Sequence, residues 1–255
     1  MDGVARSAPF RPGAPGVLLA LSLTVTIGLG LLAGVPAAGA HSTALFTRLS
    51  NLRGITRWAY PEGEAVIRSS PSPRSRPVGR LHFLTGDDQA ELYVALAEER
   101  LASGQTWIEV QVPTRPNGRI GWVPRAAVGT LHKIDSYLLV DQQTLTATLY
   151  RDGQAVFSAR VGMGKPSTVT PKGHFYVMEK LRTLNAPIYG PYAIGTSAYA
   201  PTLSEWPGGG VVGIHGTNEP QLIPGRPSHG CVRMRDADVA RLWHIIALGT
   251  PIDIV

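Results

Sequence analysis

The chain has 255 residues, 44% of them hydrophobic and 16% charged, with 29 glycines and 21 prolines. That balance excludes a disordered chain and favours short strands joined by turns over long helices. Lysine and arginine number 24 against 18 aspartates and glutamates, a net charge of +6, and the excess is spread with no basic block. A dispersed excess of this size describes a solvated surface and argues against nucleic acid as a partner.

Residues 1–40 read as an export segment. Arg6 and Arg11 precede an uncharged run from Val17 to Val35, and the small residues Ala38 and Ala40 follow it. This is the order of a signal peptide, with cleavage expected before His41. As a helix the same run would span about 29 Å, close to the hydrocarbon thickness of a bilayer. Retention as an N-terminal membrane anchor is therefore the alternative. Both readings put the rest of the chain in the cell envelope, on the periplasmic or extracellular face.

Residues 41–60 carry little pattern and are expected to form a lead-in linker. Short strand-like runs then follow: Ala65–Arg68, Pro77–Leu81, Leu92–Leu96, Trp107–Val112 and Arg119–Val123. The last two are joined through Asn117-Gly118, residues that tolerate the positive φ of a hairpin turn. Five short strands in so few residues predict a small barrel over residues 61–130. The run Ser-Pro-Ser…Val-Gly-Arg-Leu…Trp-Ile-Glu-Val…Gly-Trp-Val-Pro resembles a bacterial SH3-like domain. The resemblance implies a wall-binding or substrate-positioning module, or else a structural spacer.

A second strand-rich region is expected over residues 131–255. Ser136–Asp141, Thr144–Tyr150, Ala155–Val161 and Gly173–Glu179 read as strands, with Asp152-Gly153 as a hairpin signal. Gly162-Met-Gly-Lys165 is not a phosphate loop, because the full spacing is missing and Pro166 follows where a helix should begin. Val239, Leu242, Trp243 and Ile246 fall on one face of an amphipathic helix. Asp236 or Asp238 is expected to cap its start and Gly249 its end. Pro251–Val255 returns to a strand.

Chemistry concentrates in Ser228-His-Gly-Cys-Val-Arg233, which holds the only cysteine of the chain. In an exported protein a single thiol has no internal disulfide partner, and its polar neighbours are wrong for a core. A thiol becomes a nucleophile as thiolate, which calls for a base within hydrogen-bond reach. His229 is near in sequence, while His215 arrives from its own run, Val211-Val-Gly-Ile-His-Gly-Thr-Asn218. His215, His229 and Cys231 are also residue types that zinc accepts, yet no Cys-x-x-Cys or His-Glu-x-x-His completes a set. No metal and no cofactor is expected.

Gly213-Ile-His-Gly-Thr-Asn218 followed by Pro227-Ser-His-Gly-Cys-Val-Arg-Met234 resembles the YkuD-type L,D-transpeptidase catalytic domain. The likeness extends over roughly residues 134–255 and takes in Thr170-Pro-Lys-Gly-His-Phe175 and Gly190-Pro-Tyr-Ala193. It implies a cysteine acyltransferase acting on peptidoglycan stem tetrapeptides, with Cys231 as nucleophile and His215 as general base. A thioester on Cys231 would pass its acyl group to an amine on a second stem or on a protein. Ser228, His229 and Gly230 would shape the pocket, the backbone N–H groups of Gly230 and Cys231 would form the oxyanion hole, and Arg233 would meet a substrate carboxylate. His229 reads as structural, holding the loop. Twelve residues separate His215 from Ser228, fewer than is usual in the family, which implies a shorter loop over 218–226. Tyr189, Tyr192 and Trp206 are candidates for lining the groove. The expected architecture is mainly β: a small SH3-like barrel, then a YkuD-type β-rich catalytic domain with one C-terminal amphipathic helix.

Overall fold

Alternation of buried and exposed side chains along short runs produces two β-sheets. The computed structural model describes residues 44–184, 186–203 and 209–255. The expected export segment and Trp206 lie outside the described residues.

The first sheet is built from β1 (Leu45–Arg48), β2 (Thr56–Ala59), β3 (Val66–Arg68), β4 (Pro77–Arg80), β5 (Tyr93–Arg100), β6 (Thr106–Gln111), β7 (Ile120–Pro124) and β8 (His132–Ile134). Its order is β4-β3-β7-β6-β5-β2-β8, with β1 also on β5. The β6–β7 hairpin turns at Asn117-Gly118 as expected, Gly118 taking φ +80°. Ile67, Tyr93, Ala95, Ile108, Val110 and Val123 fill its core.

Two features differ from the sequence reading. The segment expected to be a lead-in carries β1 and β2, and β2 lies between β5 and β8 with Trp58 and Ala59 buried. The sheet also runs past residue 131, because β8 pairs with β2 and the His132 ring stacks on Trp58 at 4.4 Å. Burial of a large aromatic draws both flanking segments into the sheet.

The second sheet comprises β9 (Ser136–Asp141), β10 (Thr146–Arg151), β11 (Gln154–Arg160), β12 (Gly162–Gly164), β13 (Gly173–Arg182), β14 (Tyr192–Tyr199), β15 (Val211–His215), β16 (Gly225–Ser228), β17 (Val232–Arg233) and β18 (Pro251–Ile254). Its order is β11-β10-β9-β18-β13-β14-β15-β17-β12-β16. The C-terminal strand thus sits inside the sheet, parallel to β9 and antiparallel to β13. The helix α1 (Asp236–Ile245) covers β14 and β15 through Val239 and Leu242.

The ends of α1 differ from expectation. Arg235 occupies the N-cap position with no side-chain cap, and Asp236 instead accepts the Thr217 N–H at 2.9 Å. Gly249 lies beyond the helix, at φ +76° in the turn into β18, with its α-carbon facing the Trp58 indole.

Residues from both sheets share one hydrophobic cluster, in which Trp58, Leu92 and Val94 meet Tyr176 and Met178. Tyr176 donates its hydroxyl to the Leu92 carbonyl at 3.1 Å. The β6–β7 turn reaches across as well. Asn117 both donates to Tyr199 O and accepts from Tyr199 N–H, at 2.8 and 2.9 Å, copying a strand pairing. Arg115 donates to the carbonyls of Ala200, Leu203 and Gly209.

Gly249 tests this packing. Gly249→Ala would add a methyl group that collides with Trp58 in a backbone conformation that disfavours L-residues. The expected cost is about 2–4 kcal/mol from strain and overpacking together. Urea unfolding monitored by tryptophan fluorescence measures it, and an unchanged midpoint would contradict this account.

Candidate active site

Strand alternation decides which side chains face the site. Val212 and Ile214 of β15 enter the core, as do Val232 and Met234, so Gly213, His215, Cys231 and Arg233 turn to the other face. The strands run parallel, with Ile214 opposite Val232 and His215 opposite Arg233. Met234 N–H donates to His215 O at 2.8 Å and closes the pairing. Gly213 therefore stands beside Cys231, and its N–H donates to Cys231 Sγ at 3.5 Å.

The imidazole lies back over the same glycine: a β-carbon at 213 would sit 3.7 Å from His215 Cδ2. His215 Nδ1 is 2.7 Å from Gly216 O. A carbonyl only accepts, so Nδ1 carries the proton and Nε2 keeps its lone pair. Thiol and imidazole are thus gathered around Gly213, with the basic nitrogen on the ring edge nearest that glycine.

Ser228 shapes the turn that carries the thiol. It is buried, donates its hydroxyl to Cys231 O at 2.6 Å and accepts the Gly230 N–H at 3.1 Å. The Ser228 carbonyl in turn accepts from Lys165 N–H and Thr168 Oγ1. The Gly162–Lys165 segment, read from the sequence only as not being a phosphate loop, therefore buttresses the site, β12 pairing with both β16 and β17. Gly230 adopts φ +129°, where a side chain would be strained. One expectation is corrected. The Gly230 N–H, one of the two backbone donors expected for an oxyanion hole, is engaged by the Ser228 hydroxyl.

Electrostatics keep the pair neutral at rest. Burial pushes the His215 pKa down to about 4, with the Gly216 hydrogen bond opposing and the Arg233 charge adding to the shift. Burial pushes the Cys231 thiol up, opposed by the Gly213 N–H and Arg233. A neutral imidazole beside a neutral thiol is the form that removes a proton once a substrate is in place.

The remaining candidates separate clearly. Arg233 is 8% exposed; its Nη1 donates to Glu219 Oε2 at 2.9 Å, and its Nε is buried without a partner. The shorter loop over 218–226 thus supplies Arg233's carboxylate. Arg233, His215, Cys231, Ser228, Gly230 and the exposed His229 all line a cavity of about 110 Å³. Tyr189 also lines it, its ring edge-on to His215 at 4.9 Å. Tyr192 does not line it and stacks on Trp243 instead. A second cavity of about 270 Å³ also reaches His215 and Cys231, and its far wall contains Asp87 and Glu179. These two carboxyls were missed in the sequence, where neither belongs to a motif.

A lone thiol, a buried imidazole held as a base and a neighbouring arginine, on one face of a mixed β-sheet, make up a cysteine-type enzyme site. Comparison with known proteins narrows the class. The profile of the L,D-transpeptidase catalytic domain, YkuD, matches residues 135–254. The Bacillus subtilis (strain 168) proteins named as L,D-transpeptidases YkuD and YqjB are 31% and 32% identical over 123 and 124 residues, covering 48% and 46% of this chain and 68% and 69% of theirs. The solved catalytic domain of the E. faecium L,D-transpeptidase is 25% identical, with a TM-score of 0.37, over 48% of this chain and 97% of that one. The chain belongs to the YkuD family of L,D-transpeptidases.

The His215 environment sets a pH dependence. Its lowered pKa keeps the base neutral through the mildly acidic range, so acylation of Cys231 should fall on acidification with a midpoint near 4. A midpoint close to the ordinary histidine value would contradict the buried geometry. Stopped-flow acylation between pH 3 and pH 8 provides the measurement.

Proposed function

We propose that this protein is an exported cysteine L,D-transpeptidase that acts on peptidoglycan stem tetrapeptides through a Cys231 thioester and transfers the acyl group to an amine. The observation that carries the reading is the gathering of Cys231 and His215 around Gly213, with the imidazole held in the tautomer of a base.

In this reading His215 Nε2 takes the thiol proton as Cys231 Sγ attacks the carbonyl between the third and fourth stem residues. The C–S bond forms, the C–N bond breaks, and the proton leaves on the amine of the released D-alanine. The Cys231 N–H supports the oxyanion. Arg233, which lines the cavity, meets the donor carboxylate in this reading. The second half-reaction joins the acyl group to an amine on a neighbouring stem or a protein. Arg6, Arg11 and the apolar run from Val17 to Val35 support export, by a cleaved signal or a retained anchor. The first sheet is proposed as an SH3-like module that binds the wall or positions substrate.

The test is direct. Incubation of the full chain with a carbapenem or with purified tetrapeptide stems should add one acyl group at Cys231, read by mass spectrometry. Cys231→Ala should abolish the adduct, and His215→Ala should slow its formation roughly 100- to 10,000-fold. A folded wild-type protein that never forms an adduct would sink the proposal.

A further inference from the structure

The second sheet carries a row of four residues that cross from one side of the active-site face to the other. Glu179 of β13 is opposite Gly195 of β14, and Gly195 is opposite Gly213 of β15. Gly213 stands beside Cys231. Neighbouring strands lie about 4.8 Å apart, so the Glu179 and Cys231 backbones are about 14 Å apart. Two glycines make the floor between them.

The side chains at both ends lean inward over this floor. Glu179 lies over Gly195, where a β-carbon would collide with its Oε1. The thiol leans over Gly213, within reach of its N–H. The gap left between carboxylate and sulfur is therefore about one strand spacing, roughly 5 Å. That space holds one nitrogen atom in contact with both a carboxylate oxygen and an acyl carbon on the sulfur. The 270 Å³ cavity that joins Glu179 and Asp87 to His215 and Cys231 is this trough.

Glu179 is only 6% exposed; Thr85 donates to its Oε2 at 2.6 Å, and the Asp87 carboxyl lies within hydrogen-bond reach of it. No salt bridge joins Glu179 to a cation among the described residues. Lys180, the next residue, points away to Ile246 O. Arg80, His82, Asp87, Glu91 and Arg119 from the first sheet and Tyr199 from the second face the adjoining cavity. Burial, reinforced by Asp87 and Glu91 and opposed by Thr85, raises the Glu179 pKa to about 7. A scaffold gains nothing from a buried carboxyl that a leucine or glutamine would not supply more cheaply.

We infer that Glu179 receives the acceptor: its carboxylate binds the acceptor ammonium beside Asp87 and takes one proton from it before the amine attacks the Cys231 thioester. The inference rests on the acyl-transfer reading above. Of the three ammonium protons, one passes to Glu179, one passes through His215 to the departing thiolate, and one stays on the amide. The C–N bond forms as the C–S bond breaks, and no redox step or further reactant is involved. Glu179 is thereby a catalytic residue of the second half-reaction, supplied from β13, three strands away from β17.

The experiment separates the two half-reactions in the full chain. Wild type, Glu179→Gln and Asp87→Asn are acylated with a tetrapeptide stem, mixed with a stem-peptide amine, and the amide and hydrolysed products are weighed across pH 6 to 10. Glu179→Gln should still form the acyl-enzyme, make amide about 100-fold more slowly at neutral pH, and recover as the free amine becomes abundant. Asp87→Asn should raise the amine KM several-fold with little change in kcat. Amide formation by Glu179→Gln within twofold of wild type would overturn the inference while leaving the acyl-transfer reading intact. Loss of acylation in Glu179→Gln would reassign the residue to the scaffold and overturn it as well. Failure of wild type to acylate would remove the acyl-transfer reading, and this inference with it.

Discussion

The parallel pairing of β15 with β17 is the constraint on which the site depends. It is short, with two paired positions, yet it fixes which residues share a face. Shifting the pairing by one residue would send the thiol or the imidazole to the opposite side. The register is held from below, by Val212, Ile214, Val232 and Met234 in the core under α1. Hydrophobic burial, which has no direction of its own, thus sets the geometry of a polar site. Ser228 completes the constraint by folding the chain ahead of β17 so that Cys231 arrives above Gly213.

Burial also decides the resting protonation of the pair. Desolvation disfavours both thiolate and imidazolium, and Arg233 acts oppositely on the two. Its charge favours thiolate and disfavours imidazolium. A standing thiolate–imidazolium pair would need both ions at once in a cavity that penalises each. The arrangement instead stores a neutral acid and a neutral base and leaves charge separation to the reaction. Glu219, itself half-exposed, moderates this by neutralising one end of the guanidinium.

Local patterns in the sequence reported local structure well. Both Asn117-Gly118 and Asp152-Gly153 turn hairpins, with positive φ at Gly118, Asp152 and Gly153, and the helical face of Val239, Leu242 and Ile246 is buried as its spacing requires. Cys231 and His215 stood out because a thiol and an imidazole beside glycines carry chemistry that periodicity does not explain. Tertiary pairing was hidden. β1 and β2 are four residues each, too short to show alternation, and Trp58 becomes a core residue only because His132 and Gly249 come to it from distant positions. Asp236 had the composition of a cap, but the Thr217 N–H competes for it and wins. Glu179 read as the polar end of a strand. Its meaning depends on Gly195 and Gly213, which only strand order brings into line.

The two sheets are joined by more than apolar contact, and the polar joins fall at the catalytic face. Thr85 donates to Glu179, while Asn117 and Arg115 hold Tyr199 and the carbonyls of Ala200, Leu203 and Gly209. Leu203 and Ala200 line the cavity of Cys231, and Asp87 lines the trough that leads to it. The connection between β4 and β5 thus reaches the trough beside the thiol through Asp87. Any motion between the sheets would alter the environment of Glu179 before it altered that of His215, whose fixed partners, Gly216 and Met234, both belong to the second sheet.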